Sequence, residues 1–449
     1  MPMKPQPMKK PDVTPAPAPV KKGPAPIQPI RGMRDILPAE ASYWKKLYRE
    51  AEQLSEDYGY ERIETPVLEE TALYVRGVGK QTDIVEKEMY SFDTAGGEHV
   101  SLRPEGTAPI MRSYIHHGML NRPQPVKLWY WSPMFRHDRP QSGRYREFWQ
   151  FGCESLGDDD PVLDAQMAFL AWKTLKNAGV ESVVQINSIG TLESRANYKN
   201  ALVAYFRTKR HKLSEDDKKR LVKNPLRLLD SKEPEMQELK AEAPQIMDWL
   251  DEDSKAHFMQ VLEYLDEAGV SYQLDPYLVR GLDYYTMTVF EVTPVSDNAD
   301  VAKLALGGGG RYDGLAELLG SGRPVPACGF ALGIERVVTR MKEAMPDLGA
   351  PEKRDVFVAQ LGEQGRKKAF AIFEELRGSG IRAAEALSKK AIKAQMEIAN
   401  KMGAKWAVII GQKEVLDGTA IVRDMDAGTQ EIVDARKVVQ EIKKKLGKE

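Results

Sequence analysis

The stretches LWYWSPMFR (Leu128–Arg136) and REFWQFGCE (Arg146–Glu154) decide the fold of this 449-residue chain. Both are rich in aromatic residues, and the polar segment between them, residues 137–145, contains a proline and a glycine. Two such runs joined by a turn-forming segment predict a long antiparallel β-hairpin. We therefore expect a mainly antiparallel α+β body around this hairpin.

One face of the predicted hairpin carries groups that suit a charged ligand. If Arg136 lies opposite Gln150, the two-residue alternation of strands puts a cation, an amide, a glycine and a carboxylate on one face: Arg136, Gln150, Gly152 and Glu154. Such a face buries poorly, so it either lines a pocket or is an exposed polar surface. The connecting loop adds three guanidinium groups that can bind phosphate, those of Arg139, Arg144 and Arg146.

The composition is that of a soluble globular protein. Hydrophobic residues make up 42% and charged residues 29%, and no apolar run approaches the ~18 residues that span a membrane. Cys153 and Cys328 stand far apart and outside any CxxC pattern, which predicts neither a disulfide framework nor a cysteine zinc site. A reducing cytoplasm fits this usage. The six histidines show no metal-binding spacing, so no metal ligand is predicted among the side chains.

Changes in composition predict the domain boundaries. Residues 1–29 contain ten of the 28 prolines and are predicted to form a disordered tail without a secretory signal. Residues 30–345 are predicted to form the α+β body, with a charged helical insertion at about 191–270. After the linker Met345–Arg354, alternating strands and helices predict a small α/β domain with parallel pairing over residues 353–449. Its 20 Lys and Arg against 14 Asp and Glu suit either a polyanionic partner or a solvated charged surface.

Hydrophobic periodicity predicts the individual elements. In the body it predicts helices over 44–58, 161–176 and 333–344, and strands over 60–63, 182–187, 283–292 and 304–306. In the C-terminal domain it predicts strands in DVFVAQL, IRAAEAL and WAVIIG, and helices over about 364–377, 390–402 and 435–446.

Four glycine-containing motifs are further candidates for a binding site. LRPEGT (Leu102–Thr107) joins a carboxylate and a hydroxyl to a glycine, and VRGLDYYTMTVFEV (Val279–Val292) has an arginine before a glycine turn and two tyrosines, which could equally be core aromatics. GGGGRYDGL (Gly307–Leu315) lacks the Lys and Ser/Thr of a P-loop and the GxGxxG spacing, so its glycines predict close approach by a ligand or another backbone. GFALGIER (Gly329–Arg336) opens a helix, where a cation is disfavoured by the helix dipole, which favours a ligand-facing role for Arg336.

Together and in this order, the motifs resemble the histidyl-tRNA synthetases, a family of class II aminoacyl-tRNA synthetases. The resemblance rests on RGMRDILP, YGYERIETPVLE, LRPEGT, FRHDRPQSGRYREFWQFGCE, LVRGLDYY, GGGGRYDGL and GFALGIER, and it runs from about Arg31 to the C terminus. It implies a catalytic domain with an antiparallel sheet flanked by helices, a helical insertion and a C-terminal α/β anticodon-binding domain. The segment Tyr43–Pro66 resembles the first motif of the class, which implies a homodimer, and NPLRLLDSK resembles the bacterial type.

The family resemblance implies a reaction and its site residues. A cytoplasmic ligase would activate L-histidine with ATP, accompanied by Mg²⁺, to histidyl-adenylate, and would transfer the histidyl group to the 3′ end of tRNA(His). The implied catalytic residues are Arg136, Arg280 and Arg336, and the implied ATP-binding residues are Arg136, Arg144 and Arg336. The implied histidine-binding residues are Glu105, Thr107 and Gln150 for the α-amino group, Glu154 and Tyr285 for the imidazole, Tyr284 and Tyr312 as walls, and Arg136 and Arg280. Arg139 and Gln141 would contact the tRNA acceptor end.

Two other classes of protein are alternatives. A non-catalytic, synthetase-like regulatory subunit of histidine biosynthesis would keep the body but lack the C-terminal domain and lose site residues. An RNA-binding module with a sensor role would explain the basic domain but not the arginine-rich pocket.

Overall fold

A computed structural model of the chain describes residues 27–448 with the exception of 81, 139–142, 230, 232, 303 and 351. Most of the predicted tail, and both Arg139 and Gln141, lie outside the described residues. The chain forms two compact units. The larger unit comprises the described residues up to Ile36 together with Trp44–Met341, and the smaller unit comprises Leu37–Tyr43 and the described part of Lys342–Glu449.

Most of the predicted helices and strands are present, and the structure adds others that the sequence patterns did not predict. The α-helices are α1 (Pro38–Asp57), α2 (Thr71–Gly77), α3 (Thr107–His116), α4 (Pro161–Asn177), α5 (Leu192–Thr208), α6 (Glu215–Lys223), α7 (Pro234–Ala241), α8 (Glu252–Glu267), α9 (Ala299–Ala302), α10 (Leu315–Leu318), α11 (Ile334–Ala344), α12 (Gly362–Gly378), α13 (Ile392–Lys401), α14 (Gln412–Asp417) and α15 (Val438–Leu446). The strands are β1 (Glu61–Arg62), β2 (Leu68–Glu70), β3 (Ser91–Asp93), β4 (His99–Leu102), β5 (Val126–Phe135), β6 (Glu147–Leu156), β7 (Ser182–Ser188), β8 (Tyr272–Leu274), β9 (Thr286–Pro294), β10 (Gly307–Arg311), β11 (Ala327–Gly333), β12 (Val356–Gln360), β13 (Ala383–Glu385), β14 (Trp406–Ile410), β15 (Thr419–Asp424) and β16 (Gln430–Asp434).

An eight-stranded sheet forms the centre of the larger unit. Its strand order is β1-β5-β6-β11-β10-β9-β7-β8, and all neighbours are antiparallel except β1 with β5 and β7 with β8. The hairpin predicted from the two aromatic runs is β5 and β6. A separate three-stranded sheet, β2-β4-β3, is antiparallel. The prediction of a mainly antiparallel body flanked by helices is confirmed.

Helix α4 covers the middle of the eight-stranded sheet. It begins where Asp160 accepts a hydrogen bond from the backbone N–H of Val162, with proline at the first helical position, an arrangement that satisfies an otherwise unpaired helical donor. Its buried face contacts β7, β10 and β11. Helix α8, which is capped by Asp251, packs against α4. Helices α5 to α8 follow one another between β7 and β8, in the segment that is rich in charged residues.

The smaller unit is a five-stranded sheet with helices. The order is β13-β12-β14-β15-β16, in which β12 is parallel to β13 and β14. The predicted parallel pairing is therefore correct for these three strands. The last two strands, which the sequence patterns did not predict, pair antiparallel.

One predicted strand in the larger unit is wrong. Residues 304–306 do not form a strand, and the next strand is β10, the glycine run Gly307–Arg311. Glycine has low β-propensity, so the hydrophobic pattern did not predict a strand here, but close contact with neighbouring backbones holds the run in place. A Cβ at Gly308 would meet the Phe290 carbonyl oxygen at 2.4 Å.

In the part of the chain that the structure describes, none of the helices combines the length and apolar character that crossing a bilayer needs.

Candidate active site

A cavity of about 470 Å³ opens at the face of the eight-stranded sheet where the hairpin, the glycine strand and the start of α11 meet. It is lined by most of the sequence-predicted site residues: Glu105, Thr107, Arg136, Arg144, Gln150, Arg280, Tyr284, Tyr285 and Arg336. Glu154 and Tyr312 are buried directly behind this lining. The structure thus brings together residues that lie more than 200 positions apart in the sequence.

The register of the hairpin differs from the one that the sequence suggested. Gln150 lies opposite Ser132, and the backbone N–H of Arg136 donates to the carbonyl oxygen of Arg146 at 2.9 Å. The pairing of Arg136 with Gln150 is therefore wrong by four residues. Because four is an even number, the shift leaves both side chains on the same face, and both line the cavity.

Glu105 sits at the N-terminus of α3. Its carboxylate accepts hydrogen bonds from the backbone N–H groups of Thr107 at 2.8 Å and Ala108 at 2.9 Å, which lie at the positive end of the helix dipole. Burial raises the pKa of Glu105, while these two donors oppose the shift. The carboxylate is fixed in position and still presents lone pairs to the cavity, so it can accept from an ammonium group.

Glu154 is the centre of a buried hydrogen-bond network. The Thr107 hydroxyl donates to one carboxylate oxygen at 2.7 Å, and the Tyr312 hydroxyl donates to the other. Burial raises the pKa of Glu154 to about 8, although these two hydrogen bonds oppose the shift. A Cβ at position 329 would lie 1.6 Å from the Glu154 carboxylate, so Gly329 leaves the space that this side chain occupies.

Tyr284 and Tyr285 form an aromatic wall. Their rings lie 4.7 Å apart, and Tyr284 also meets the Tyr312 ring edge-on at 5.6 Å. The Tyr284 hydroxyl lies 3.4 Å from Glu105. The wall places two phenol groups and two carboxylates around one end of the cavity, which suits a ligand with both an amine and a polar ring.

Arg136 and Arg336 are anchored by backbone carbonyls. Arg136 donates from Nε to Pro104 at 2.8 Å, and Arg336 donates from Nε to Gly143 at 2.9 Å. Burial lowers the pKa of both arginines, and for Arg336 the neighbouring Arg144 lowers it further. Arg144 and Arg280 line the same cavity, and several guanidinium groups around one cavity can bind a polyanionic ligand such as a phosphate chain.

Arg280 is paired with a carboxylate that the sequence analysis did not single out. Its Nη1 donates to Glu291, which lies on β9, and its Nε is buried without a hydrogen-bond partner among the described residues. Burial has the largest single effect and lowers the pKa of Arg280, but the Glu291 carboxylate together with Tyr284 and Tyr285 outweighs it, so the pKa is raised. Arg280 therefore keeps its charge and has donors available. Arg144, which lines the same cavity, forms an ion pair with Asp138 at 3.1 Å.

Glu335 is a second residue that the sequence analysis missed. Its two carboxylate oxygens accept from the backbone N–H of Trp149 at 3.0 and 3.1 Å, which ties the first turn of α11 to β6 beside Gln150. Burial raises the pKa of Glu335 to about 7. The only sequence signal was its place next to Arg336 in GFALGIER. Alternation along β9 could similarly have placed Glu291 on the face of its strand.

Among the described residues, no cluster of three or more His, Cys, Asp or Glu side chains could hold a metal ion. Phosphate oxygens and water would supply most of the coordination that Mg²⁺ requires.

Comparisons with known proteins agree with the geometry. The family described as histidyl-tRNA synthetase matches residues 32–337, and the one described as anticodon binding domain matches residues 355–445. A histidine–tRNA ligase of Dehalococcoides mccartyi is 44% identical over 423 residues, which cover 93% of this chain and all of that protein. The solved structure of apo histidyl-tRNA synthetase from S. aureus is 37% identical with a TM-score of 0.76, over 93% of this chain and all of that one.

A further solved structure bears on the regulatory alternative. It is described as an ATP phosphoribosyltransferase regulatory subunit/histidyl-tRNA synthetase from Bacillus halodurans C, and it is 25% identical with a TM-score of 0.60, over 86% of this chain and 99% of that one. The likeness is weaker than those to the S. aureus enzyme and the D. mccartyi ligase, so the regulatory alternative is not favoured.

Proposed function

The chain belongs to the histidyl-tRNA synthetase family, and we propose that both steps of histidine ligation to tRNA take place in the cavity described above, with the residues that line it. The protein is an ATP-dependent ligase of histidine and tRNA. The observation that carries the assignment of the site is the gathering of four arginines and the buried Glu154 network around one cavity. No nucleophilic side chain is required, because the carboxylate of histidine is itself the nucleophile.

In the first step, a carboxylate oxygen of histidine attacks the α-phosphorus of ATP. A new C–O–P linkage forms, the bond between the α-phosphorus and its bridging oxygen breaks, and pyrophosphate leaves with the electron pair. Negative charge is transferred but no proton needs to move, so position and charge stabilisation supply the rate. We assign Arg136 and Arg280 to the α-phosphate and the carboxylate, and Arg144 and Arg336 to the outgoing phosphates.

In the second step, a hydroxyl of the 3′-terminal ribose attacks the carbonyl carbon of histidyl-adenylate. The ester bond to tRNA forms, the bond to AMP breaks, and AMP leaves. The ribose hydroxyl must lose its proton in this step, and AMP phosphate is an acceptor within the same cavity. Arg139 and Gln141 remain proposed contacts for the acceptor end.

Histidine recognition follows from the donors and acceptors at the aromatic end of the cavity. Glu105, Thr107 and Gln150 would hold the α-amino group, and the Gln150 side-chain oxygen is a buried acceptor without a partner among the described residues. Glu154 and Tyr285 would face the two imidazole nitrogens, with Tyr312 holding Glu154. A site whose buried polar groups need partners rejects amino acids that cannot supply them.

Other parts of the proposal concern the whole protein. Mg²⁺ would enter with ATP and neutralise charge on the β- and γ-phosphates. Residues 30–345 would form the catalytic domain, with the insertion at about 191–270, and residues 353–449 would bind the anticodon of tRNA(His). The protein would act as a homodimer in the cytoplasm.

ATP–pyrophosphate exchange tests the function directly. With each amino acid supplied in turn, exchange above background should require histidine, and tRNA charging should follow with the same specificity. A chain that binds RNA but shows no histidine-dependent exchange would support the sensor alternative instead. A chain that changes the activity of a phosphoribosyltransferase without charging tRNA would support the regulatory alternative.

A further inference from the structure

A second cavity lies beside the first within the larger unit. Its volume is about 180 Å³, and it shares four lining residues with the first cavity: Arg227, Arg280, Leu282 and Tyr285. We call this second cavity the side chamber. Because pockets for drug-sized ligands have volumes of roughly 300–1,000 Å³, the side chamber suits a small group rather than a whole nucleotide.

Helix α5 supplies two cations to the side chamber. Arg195 and Lys199 are four residues apart, so they lie on one face of the helix, and both line the chamber. The Lys199 amino group makes no hydrogen bond or ion pair with any residue in the described ranges. Burial lowers the pKa of Lys199 and the positive charge of Arg195 lowers it further, while the Asp283 carboxylate opposes the shift without reversing it. Burying the charge of a lysine beside an arginine costs free energy, and a bound anion would offset this cost.

The rest of the lining adds to the excess of donors. Arg227 brings a third cation, whereas Asp283 is the one carboxylate in the lining that the structure describes. Arg280 also lines the chamber, and its buried Nε has no acceptor among the described residues. A ligand with several acceptor oxygens and negative charge would accept from Arg280 Nε and balance the charges of Arg195 and Lys199.

We propose that the side chamber binds a phosphate group through Lys199 and Arg195. A tetrahedral phosphate presents several oxygens, which match an ammonium and a guanidinium approaching from one helix face. The source of the phosphate rests on the proposed function, because that reaction offers two. One is the pyrophosphate released when the adenylate forms, and the other is the phosphate backbone at the acceptor end of tRNA.

Lys199 is the residue that tests the side chamber cleanly. Arg195 also donates to the Tyr285 carbonyl oxygen at 2.7 Å, and Arg227 donates to the Gly281 carbonyl oxygen at 2.9 Å. Substitution of either arginine would disturb the loop that carries the tyrosines of the first cavity. The Lys199 side chain makes no such bond. Arg207 lies on the same helix, is exposed, and lines neither cavity, so it is a matched control for the removal of one positive charge.

The experiment uses the full chain as wild type, Lys199→Ala, Lys199→Arg and Arg207→Ala. Calorimetry measures the binding of inorganic pyrophosphate while histidinol and ATP occupy the first cavity; histidinol lacks the carboxylate, so ATP is not consumed. Steady-state charging measures the KM for tRNA at several salt concentrations. A thermal melt of each variant confirms that it is folded.

If the ligand is pyrophosphate, Lys199→Ala should weaken its binding about tenfold and leave the KM for tRNA unchanged. If the ligand is a tRNA phosphate, Lys199→Ala should raise the KM for tRNA about tenfold. The slope of log KM against log salt concentration should fall by about one, the effect of losing one phosphate contact. Lys199→Arg should stay near wild type in either case. Wild-type values for Lys199→Ala in both measurements, or an equal loss in Arg207→Ala, would overturn the proposal.

Failure of the proposed function gives a different result. A wild-type chain without histidine-dependent exchange would remove that function, while the calorimetric titration of pyrophosphate needs no turnover and still reports on the side chamber.

Discussion

The guanidinium group of Arg195 donates a hydrogen bond from Nη1 to the backbone carbonyl oxygen of Tyr285 at 2.7 Å. The same nitrogen lies 3.5 Å from the carbonyl oxygen of Asp283. Arg195 belongs to α5, in the helical segment between β7 and β8, whereas Tyr285 lines the proposed histidine site. The helical segment therefore holds the backbone of the substrate loop from outside the first cavity.

Arg195→Met should raise the KM for histidine by about tenfold or more. The change removes a hydrogen bond from a charged donor, which contributes on the order of 1.5–3 kcal/mol, and it frees the loop that carries Tyr284 and Tyr285. The KM for ATP should change less, because Arg144 and Arg336 lie on other elements. Exchange kinetics with histidine and ATP varied separately measure both values. Arg207→Met on the same helix is the control, and equal histidine KM values for the two variants would contradict the prediction.

Arg280→Ala should reduce histidine-dependent pyrophosphate exchange by at least about 10²-fold, because it removes a preorganised charge at the reacting phosphate. Glu291→Gln should have a smaller effect, since it keeps the shape of the partner and leaves the arginine in place. Thermal melts separate a catalytic loss from a loss of folding. Exchange near the wild-type rate in folded Arg280→Ala would show that another group stabilises the α-phosphate.

Glu154→Gln should increase stability relative to wild type at alkaline pH while weakening histidine binding. The pKa of Glu154 is raised from 4.5 to about 8 in the folded protein, so the folded state holds a proton that the unfolded chain loses. Glu154 contributes fully to the free energy of unfolding when the pH is below its pKa in the unfolded chain. This contribution is lost as the pH rises towards its pKa in the folded protein. The variant lacks this titration.

Melting temperatures at about pH 5.5 and about pH 8.5 test the sign of this linkage. The melting temperature of Glu154→Gln relative to that of the wild type should be higher at about pH 8.5 than at about pH 5.5. Glu193→Gln, a change of an exposed carboxylate, should show no such trend. A difference that stays constant with pH for Glu154→Gln would contradict the prediction.

The sequence predicted the residues of the site better than their contacts. Alternation along the hairpin placed Arg136 and Gln150 on one face even with the wrong register, because strand faces depend only on whether the shift is even. Glu291 and Arg195 escaped prediction because their partners depend on how the strands and helices pack, which local patterns do not contain. The glycine strand β10 was missed because close approach of neighbouring backbones holds it, and not the propensity of its residues.

The smaller unit has a rigid basic loop that we expect to contact tRNA. Two buried glutamines hold it: Gln360 donates from Nε2 to the carbonyl oxygens of Leu387 and Lys389 at 3.1 and 2.8 Å, and Gln395 donates to that of Lys389 at 3.1 Å. Gln395 also donates to the Gln360 carbonyl oxygen at 2.9 Å. The loop that they fix presents Lys389 and Lys390 to solvent. Fixed cations lose little conformational entropy when they bind a phosphate backbone.

Lys389→Glu combined with Lys390→Glu should raise the KM for tRNA by about tenfold. The slope of log KM against log salt concentration should fall by roughly one to two, because one or two phosphate contacts are lost. Histidine activation should be unchanged, because none of the described residues that line the first cavity belongs to the smaller unit. Lys437→Glu combined with Lys444→Glu is the control, because it changes the net charge of the same unit equally at exposed positions. It distinguishes an effect of the loop lysines from an effect of net charge. If the control pair raised the KM for tRNA as much, net charge and not this loop would account for the binding. Gln395→Leu, which removes one of the three hydrogen bonds that hold the loop without altering its charge, should give a smaller increase in KM with the wild-type salt dependence, since the lysines remain but are held less firmly.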